Sequence, residues 1–116
     1  MSGNMTSKGI TVRRGDSFTI IMRFHAAAGD FDISGAAVKM AVRDADGNLV
    51  LDKSGLISDA AHGIAAIELT PQDTAIAVGR YKTDIQITFA NGQVHTIYPP
   101  NVNTVAYFKI AEEVTR

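Results

Sequence analysis

The stretch "YKTDIQITFANGQVHTIY", residues 81–98, constrains the fold more than any other part of the chain. Tyr81, Thr83, Ile85, Ile87 and Phe89 alternate with Lys82, Asp84, Gln86 and Thr88, a period of two that suits a strand with one buried face. Asn91-Gly92 follows, a pair that favours a two-residue type I′ turn because both of its central positions need positive φ. With these residues at the corner, Phe89 pairs with Val94, Thr88 with His95, Ile87 with Thr96 and Ile85 with Tyr98. That register buries Val94, Thr96 and Tyr98 and turns His95 and Ile97 outward.

The same period recurs along the chain. "SFTIIMRF" sets Phe18, Ile20, Met22 and Phe24 on one face, and "AVKMAVR" does so with Val38, Met40 and Val42. Asp46-Gly47 then offers a second two-residue turn, which places Val42 opposite Leu51. "GITV", "IAAIELT" and "TVAYFKI" supply further strands, with turn signals about ten residues apart. The expected fold is all-β, an immunoglobulin-like antiparallel β-sandwich of about seven strands with one short helical turn. The helical turn is read from Thr70 as N-cap, Pro71 at the first helical position and Asp73 where a capping box wants an acid. Tyr81, entering a strand just after that turn, has the position of a tyrosine corner and favours a sandwich over a barrel. The 116 residues make a single domain, 1–116, with its core over about 8–111 and a polar N-terminal tail over 1–8.

Charge narrows the partners. The chain has 11 basic and 12 acidic residues mixed along its length and no basic block, so no nucleic-acid partner is expected. Nowhere does an apolar run approach the ~20 residues that span a bilayer, and the start "MSGNMTSKG" does not read as a signal peptide. The expectation is no membrane partner and synthesis in the cytoplasm, with export only as part of a larger particle. The absence of cysteine excludes disulfides and thiol catalysis.

No residue pattern points to chemistry. His25, His62 and His95 lie at a strand end, in the loop "DAAHG" and on an outer strand face, none at metal-ligand spacing. "RDADGN" has acids only at Asp44 and Asp46 and lacks the distant acid of a calcium loop, so it is read as a turn. No nucleophile elbow or P-loop is present. No catalytic residue, cofactor or metal site is expected, and the chain is not read as an enzyme. Arg14-Gly15-Asp16 spells a cell-adhesion tripeptide, but it falls between two strands, where glycine can take an unusual φ and aspartate can accept from nearby amides. It is read as a turn.

Several landmarks together resemble the N-terminal domain of phage baseplate upper proteins, an immunoglobulin-like sandwich of phage tails and prophages. They are Gly15-Asp16 opening the second strand, Asp32-Ile33-Ser34-Gly35 before the third, Leu69-Thr70 before the helical turn, and Gly79-Arg80-Tyr81 leading into the hairpin. The resemblance runs from about residue 8 to 111, and the family's proteins are longer, with further domains behind this one. It implies a non-enzymatic structural component of a tail or baseplate, made in the bacterial host cytoplasm and assembled into the virion. Its partners would be other tail and baseplate proteins in a symmetric homo-oligomer. Ile21, His95 and Ile97, placed outward by parity, are the candidate contact residues. The alternative is a small ligand- or carbohydrate-binding sandwich, for which Tyr98 and Tyr107 are the remaining aromatic platforms.

Overall fold

The computed structural model describes residues 3–26, 29–99 and 105–113. Its strands, in chain order, are β1 (Gly3–Thr6), β2 (Gly9–Arg13), β3 (Phe18–Arg23), β4 (His25–Ala26), β5 (Gly29–Asp30) and β6 (Ala37–Arg43). There follow β7 (Leu49–Ser54), β8 (Leu56–Asp59), β9 (Ile64–Leu69), the helical turn α1 (Pro71–Thr74), β10 (Gly79–Thr88), β11 (Val94–Tyr98) and β12 (Ala106–Ala111). Seven strands form the large sheet in the order β1-β2-β12-β10-β6-β7, with β11 sharing the β10 edge with β12. Three form the small sheet, β3-β9-β8. β12 runs antiparallel to β10 and parallel to β2, so the otherwise antiparallel sheets contain one parallel pair.

One apolar core lies between the sheets. Val12, Met40, Val42, Ile85, Ile87 and Phe108 of the large sheet and Ile20 and Ile67 of the small sheet are all 2% exposed or less. Each such side chain contributes about 1.5–3 kcal/mol by leaving water. The chain crosses from the large sheet to the small one at Gly55, whose N–H donates to the Val38 carbonyl at 2.8 Å. A Cβ there would stand 3.0 Å from the Ala66 carbonyl oxygen and 3.2 Å from the Val38 Cβ, so the crossing favours a residue without a side chain.

The sandwich expected from alternation is what forms, with more strands than about seven. β8 and the two-residue pair β4–β5 are additions, and half of the eight-residue polar segment expected as a tail is β1. Its sequence, Gly-Asn-Met-Thr, carries no alternation, but it pairs with β2 from Gly3↔Val12 to Thr6↔Gly9. Two contacts tie it down: the Tyr98 hydroxyl donates to the Thr6 carbonyl at 2.6 Å, and Gly3 lies so close to the Phe18 ring that a Cβ would collide with it.

The helical turn matches its sequence signals. The Thr70 hydroxyl accepts from the Asp73 amide at 3.2 Å, and the Asp73 carboxylate accepts from the Thr70 amide at 2.8 Å, a complete capping box. Lys53 of β7 reaches the same carboxylate at 2.7 Å. Burial alone would push the Asp73 carboxyl up; hydrogen bonds from Lys53 and Thr70 outweigh it and hold the group below the ordinary carboxylate value. The Tyr81 hydroxyl donates to the Ala77 carbonyl at 2.6 Å, the tyrosine corner expected at that position.

Both hairpins correct the expected turn. The Gly92 amide bonds to the Phe89 carbonyl at 2.9 Å and the Phe89 amide to the Gln93 carbonyl at 2.8 Å, with Gly92 at φ +88°. The Gly47 and Asp44 amides repeat this with Asp44 and Asn48 carbonyls at 3.1 and 3.0 Å, with Gly47 at φ +85°. These are three-residue connections closed by a glycine bulge, in which only the glycine takes positive φ. Among the described residues no non-glycine does, so Asn91 and Asp46 escape the cost a type I′ turn would impose on them. Pairing therefore starts at Thr88↔Val94 and Ile87↔His95, one residue off the expected register. A second irregularity between Ile85 and Gln86 leaves Ile97 as the extra residue and restores Ile85↔Tyr98. In the other hairpin Arg43↔Leu49 is followed by Val42↔Leu51, with Val50 the extra residue.

Candidate functional site

The slip in register relocates two of the three candidate contact residues. His95 stands opposite buried Ile87, not opposite Thr88, so it is on the core side of the sheet, at its end, where it stays exposed. Ile97, carried to the same side by the bulge, is half-buried and packs against the core. Val94, expected inside, is 55% exposed, and Thr96 is exposed too.

His95 and Ile97 instead line a groove of about 620 Å³ at one end of the sandwich, with Phe24, Phe31 and Phe89. The Phe89 ring meets Phe31 at 5.6 Å and His95 edge-on at 5.4 Å. Asp32 and Ser34 also line the groove, from the turn Asp32-Ile33-Ser34-Gly35. Ile33 is buried, and Gly35, at φ +78°, closes a turn in which the Ala36 amide bonds to the Ile33 carbonyl at 3.0 Å. The Ser34 hydroxyl and amide donate to the Asp32 carboxylate at 2.6 and 2.9 Å, and these bonds hold its pKa below the usual carboxylate value.

Ile21 lies elsewhere, on the outer face of the small sheet, 66% exposed. Its strand buries Phe18 and Ile20 and points Thr19, Ile21 and Arg23 to solvent. Across the register Ile21 faces Ala66, and Ala66 faces Leu56, which is 64% exposed. Cross-strand partners share a face, so these three side chains form an apolar row over all three strands. Thr19↔Glu68 borders it on one side and Arg23↔Ile64 on the other. Leu56 was not legible as part of this row, because "LISD" after Gly55 shows no clear alternation.

The remaining sequence candidates have structural roles. The Asp16 amide bonds to the Arg13 carbonyl at 3.0 Å around Gly15 at φ +83°, so Arg-Gly-Asp is a turn. Arg14 is folded onto the protein itself, with Nε donating to the Ile76 carbonyl at 3.1 Å and Nη1 3.4 Å from Glu113. Fully buried Thr74 donates its hydroxyl to the Asp16 carbonyl at 2.8 Å, joining this corner to the helical turn. The Asp44 carboxylate accepts from the Asn48 and Asp46 amides, both at 2.9 Å, as a turn residue does. His62 pairs with Asp59 at 2.8 Å, and the side chain of His25 lies outside the described residues. Tyr98 is buried and serves the sandwich through its bond to Thr6, while Arg80 stacks over the Tyr107 ring at 4.5 Å. Neither presents a free sugar platform.

Residues 2–98 match the family model described as the BppU N-terminal domain. Among solved structures the chain is similar to the crystal structure of CopC from Methylosinus trichosporium OB3b, with a TM-score of 0.53 and 14% identity over 96% of this chain and 90% of that one. At that identity the likeness is one of fold. No curated protein sequence matches the chain.

Proposed function

The chain belongs to the BppU N-terminal domain family, that of phage baseplate upper proteins, and from that premise we propose that it is a non-enzymatic structural part of a phage or prophage tail. It works by protein–protein contact in a symmetric assembly with other tail and baseplate proteins, made in the host cytoplasm and carried in the virion. The observation that carries this reading is the solvent-facing row Ile21, Ala66 and Leu56, on a chain of that family. A β-branched or leucine side chain about two-thirds exposed adds little to the stability of a monomer and much to an interface that covers it. The groove holding His95 and Ile97 is a second contact, suited to an apolar side chain of a neighbour against the Phe31 and Phe89 rings.

The test is mass spectrometry of particles sedimented from an induced culture of a strain carrying this gene. The protein is expected to sediment with tail proteins in a fixed ratio, and cross-links from the small sheet should name the neighbour. A protein that stays wholly in the soluble fraction while particles form would sink the tail assignment.

A further inference from the structure

The outer face of the large sheet collects cations that are scattered in the sequence. Arg13, Lys39, Arg43, Arg80, Lys82 and Lys109 all alternate with buried residues and point to solvent there, six of the chain's 11 basic residues. Only Asp52 and Asp84 among acidic side chains of the paired strands share the face, and Asp52 is taken by Lys39 at 3.1 Å. The register sets like charges directly opposite each other: Arg43 faces Lys82, and Arg80 faces Lys109. Such cross-strand pairs destabilise a sheet. Among the described residues none of these four cations has a carboxylate partner, although Arg80 lies over Tyr107 and Arg43 donates to the Gly47 carbonyl at 3.0 Å. The face is also concave between β10 and the β6–β7 corner, where a depression of about 670 Å³ is lined by Arg43 and Lys82 and, at its turn end, by Asp44 and Asp46, with Asp84 beside them.

We propose that this basic face docks the acidic surface of a neighbouring protein; that the neighbour is a tail protein rests on the function proposed above. The repulsion built into the two pairs is relieved when carboxylates of a partner come between them, so binding recovers what the free sheet lacks. A protein surface suits the face better than a phosphate backbone. Asp84 stands in its middle and would repel a row of phosphates, whereas a mixed protein surface can answer both signs. Tyr107, the aromatic ring on that side, carries Arg80 over one face, so a base would have to displace that guanidinium to stack there.

Fluorescence anisotropy of the full chain with labelled poly-glutamate, a double-stranded DNA oligonucleotide and anionic vesicles tests the proposal at low and high salt. The wild type is expected to bind poly-glutamate, more weakly at high salt. Arg80→Gln/Lys82→Gln should lose about tenfold or more of that affinity, and Arg23→Gln, on the small sheet, should lose none. A thermal melt of each variant accompanies the titration, and Lys82→Gln should melt no lower than wild type because it removes a like-charge pair. Tighter binding to DNA or to vesicles than to poly-glutamate overturns the proposal, as does equal loss from Arg23→Gln, or no binding to poly-glutamate at all. Failure of the protein to enter particles would remove the tail reading and leave this binding result standing.

Discussion

The two outward faces of the sandwich are built on the same alternation and end up opposite in character. Beneath both, every second residue enters a shared apolar core; above the large sheet stand cations in like-charge pairs, and above the small sheet an apolar row. Neither arrangement favours the isolated domain. Opposed cations repel, and exposed isoleucine and leucine side chains forgo the free energy that burial would return. The contrast also shows where the acids have gone. Asp32, Asp44 and Asp73 hold turns and a helix cap through backbone amides, which leaves the strands of the large sheet short of negative charge. A domain with a net charge of only −1 thus carries one charged face and one greasy one.

Both faces rest on one core, and the largest expected effect lies there. Phe108→Ala should cost about 3–5 kcal/mol of unfolding free energy in urea, because the fully buried ring reaches the shared core from the centre of the large sheet. A loss below about 1 kcal/mol would mean that the two sheets do not depend on one another. Next comes the tie between them, in which Lys53 of the large sheet meets Asp73 beside the small one. Asp73→Asn should cost roughly 1–2 kcal/mol at neutral pH. Since the folded-state carboxyl titrates below its unfolded value of about 3.9, its contribution is whole above that pH and is lost as pH falls through the folded pKa. Melts taken down an acid series should therefore show wild type and Asp73→Asn converging, and a constant gap would refute the tie.

Smaller effects separate the faces themselves. Lys82→Gln should raise unfolding free energy by roughly 0.2–1 kcal/mol, read by denaturant titration, because it relieves the repulsion with Arg43. A decrease would show that the basic face serves the fold. Ile21→Thr should leave stability within about 0.5 kcal/mol, since the side chain is 66% exposed and threonine suits a strand. A larger loss would mean that the row is packed within the monomer.

Much of this molecule was legible as sequence, for identifiable reasons. The alternation of β3, β6 and β10 records which face is buried, and the signals around Thr70, Asp73 and Tyr81 are local, so they survive in the fold. The turn at Asn91-Gly92 was legible as a turn but not as to type, because asparagine tolerates several conformations and only the bulge decides the register. That one-residue slip moved His95 and Ile97 from the outer face into the groove. Strand β1 left no pattern, since it is held by backbone pairing and by Tyr98 from 92 residues away. The basic face was hidden for a related reason: its cations lie at positions 13 to 109 and meet only through strand register.

Particle incorporation of face variants bears most directly on the claim that both faces are docking surfaces. Wild type, Ile21→Lys and Lys82→Glu would be expressed in the host during induction, each first shown by circular dichroism and melting to be folded. Quantitative mass spectrometry of sedimented particles should then find wild type in fixed ratio to tail proteins and both variants depleted several-fold. Incorporation of both variants at the wild-type ratio would contradict the account.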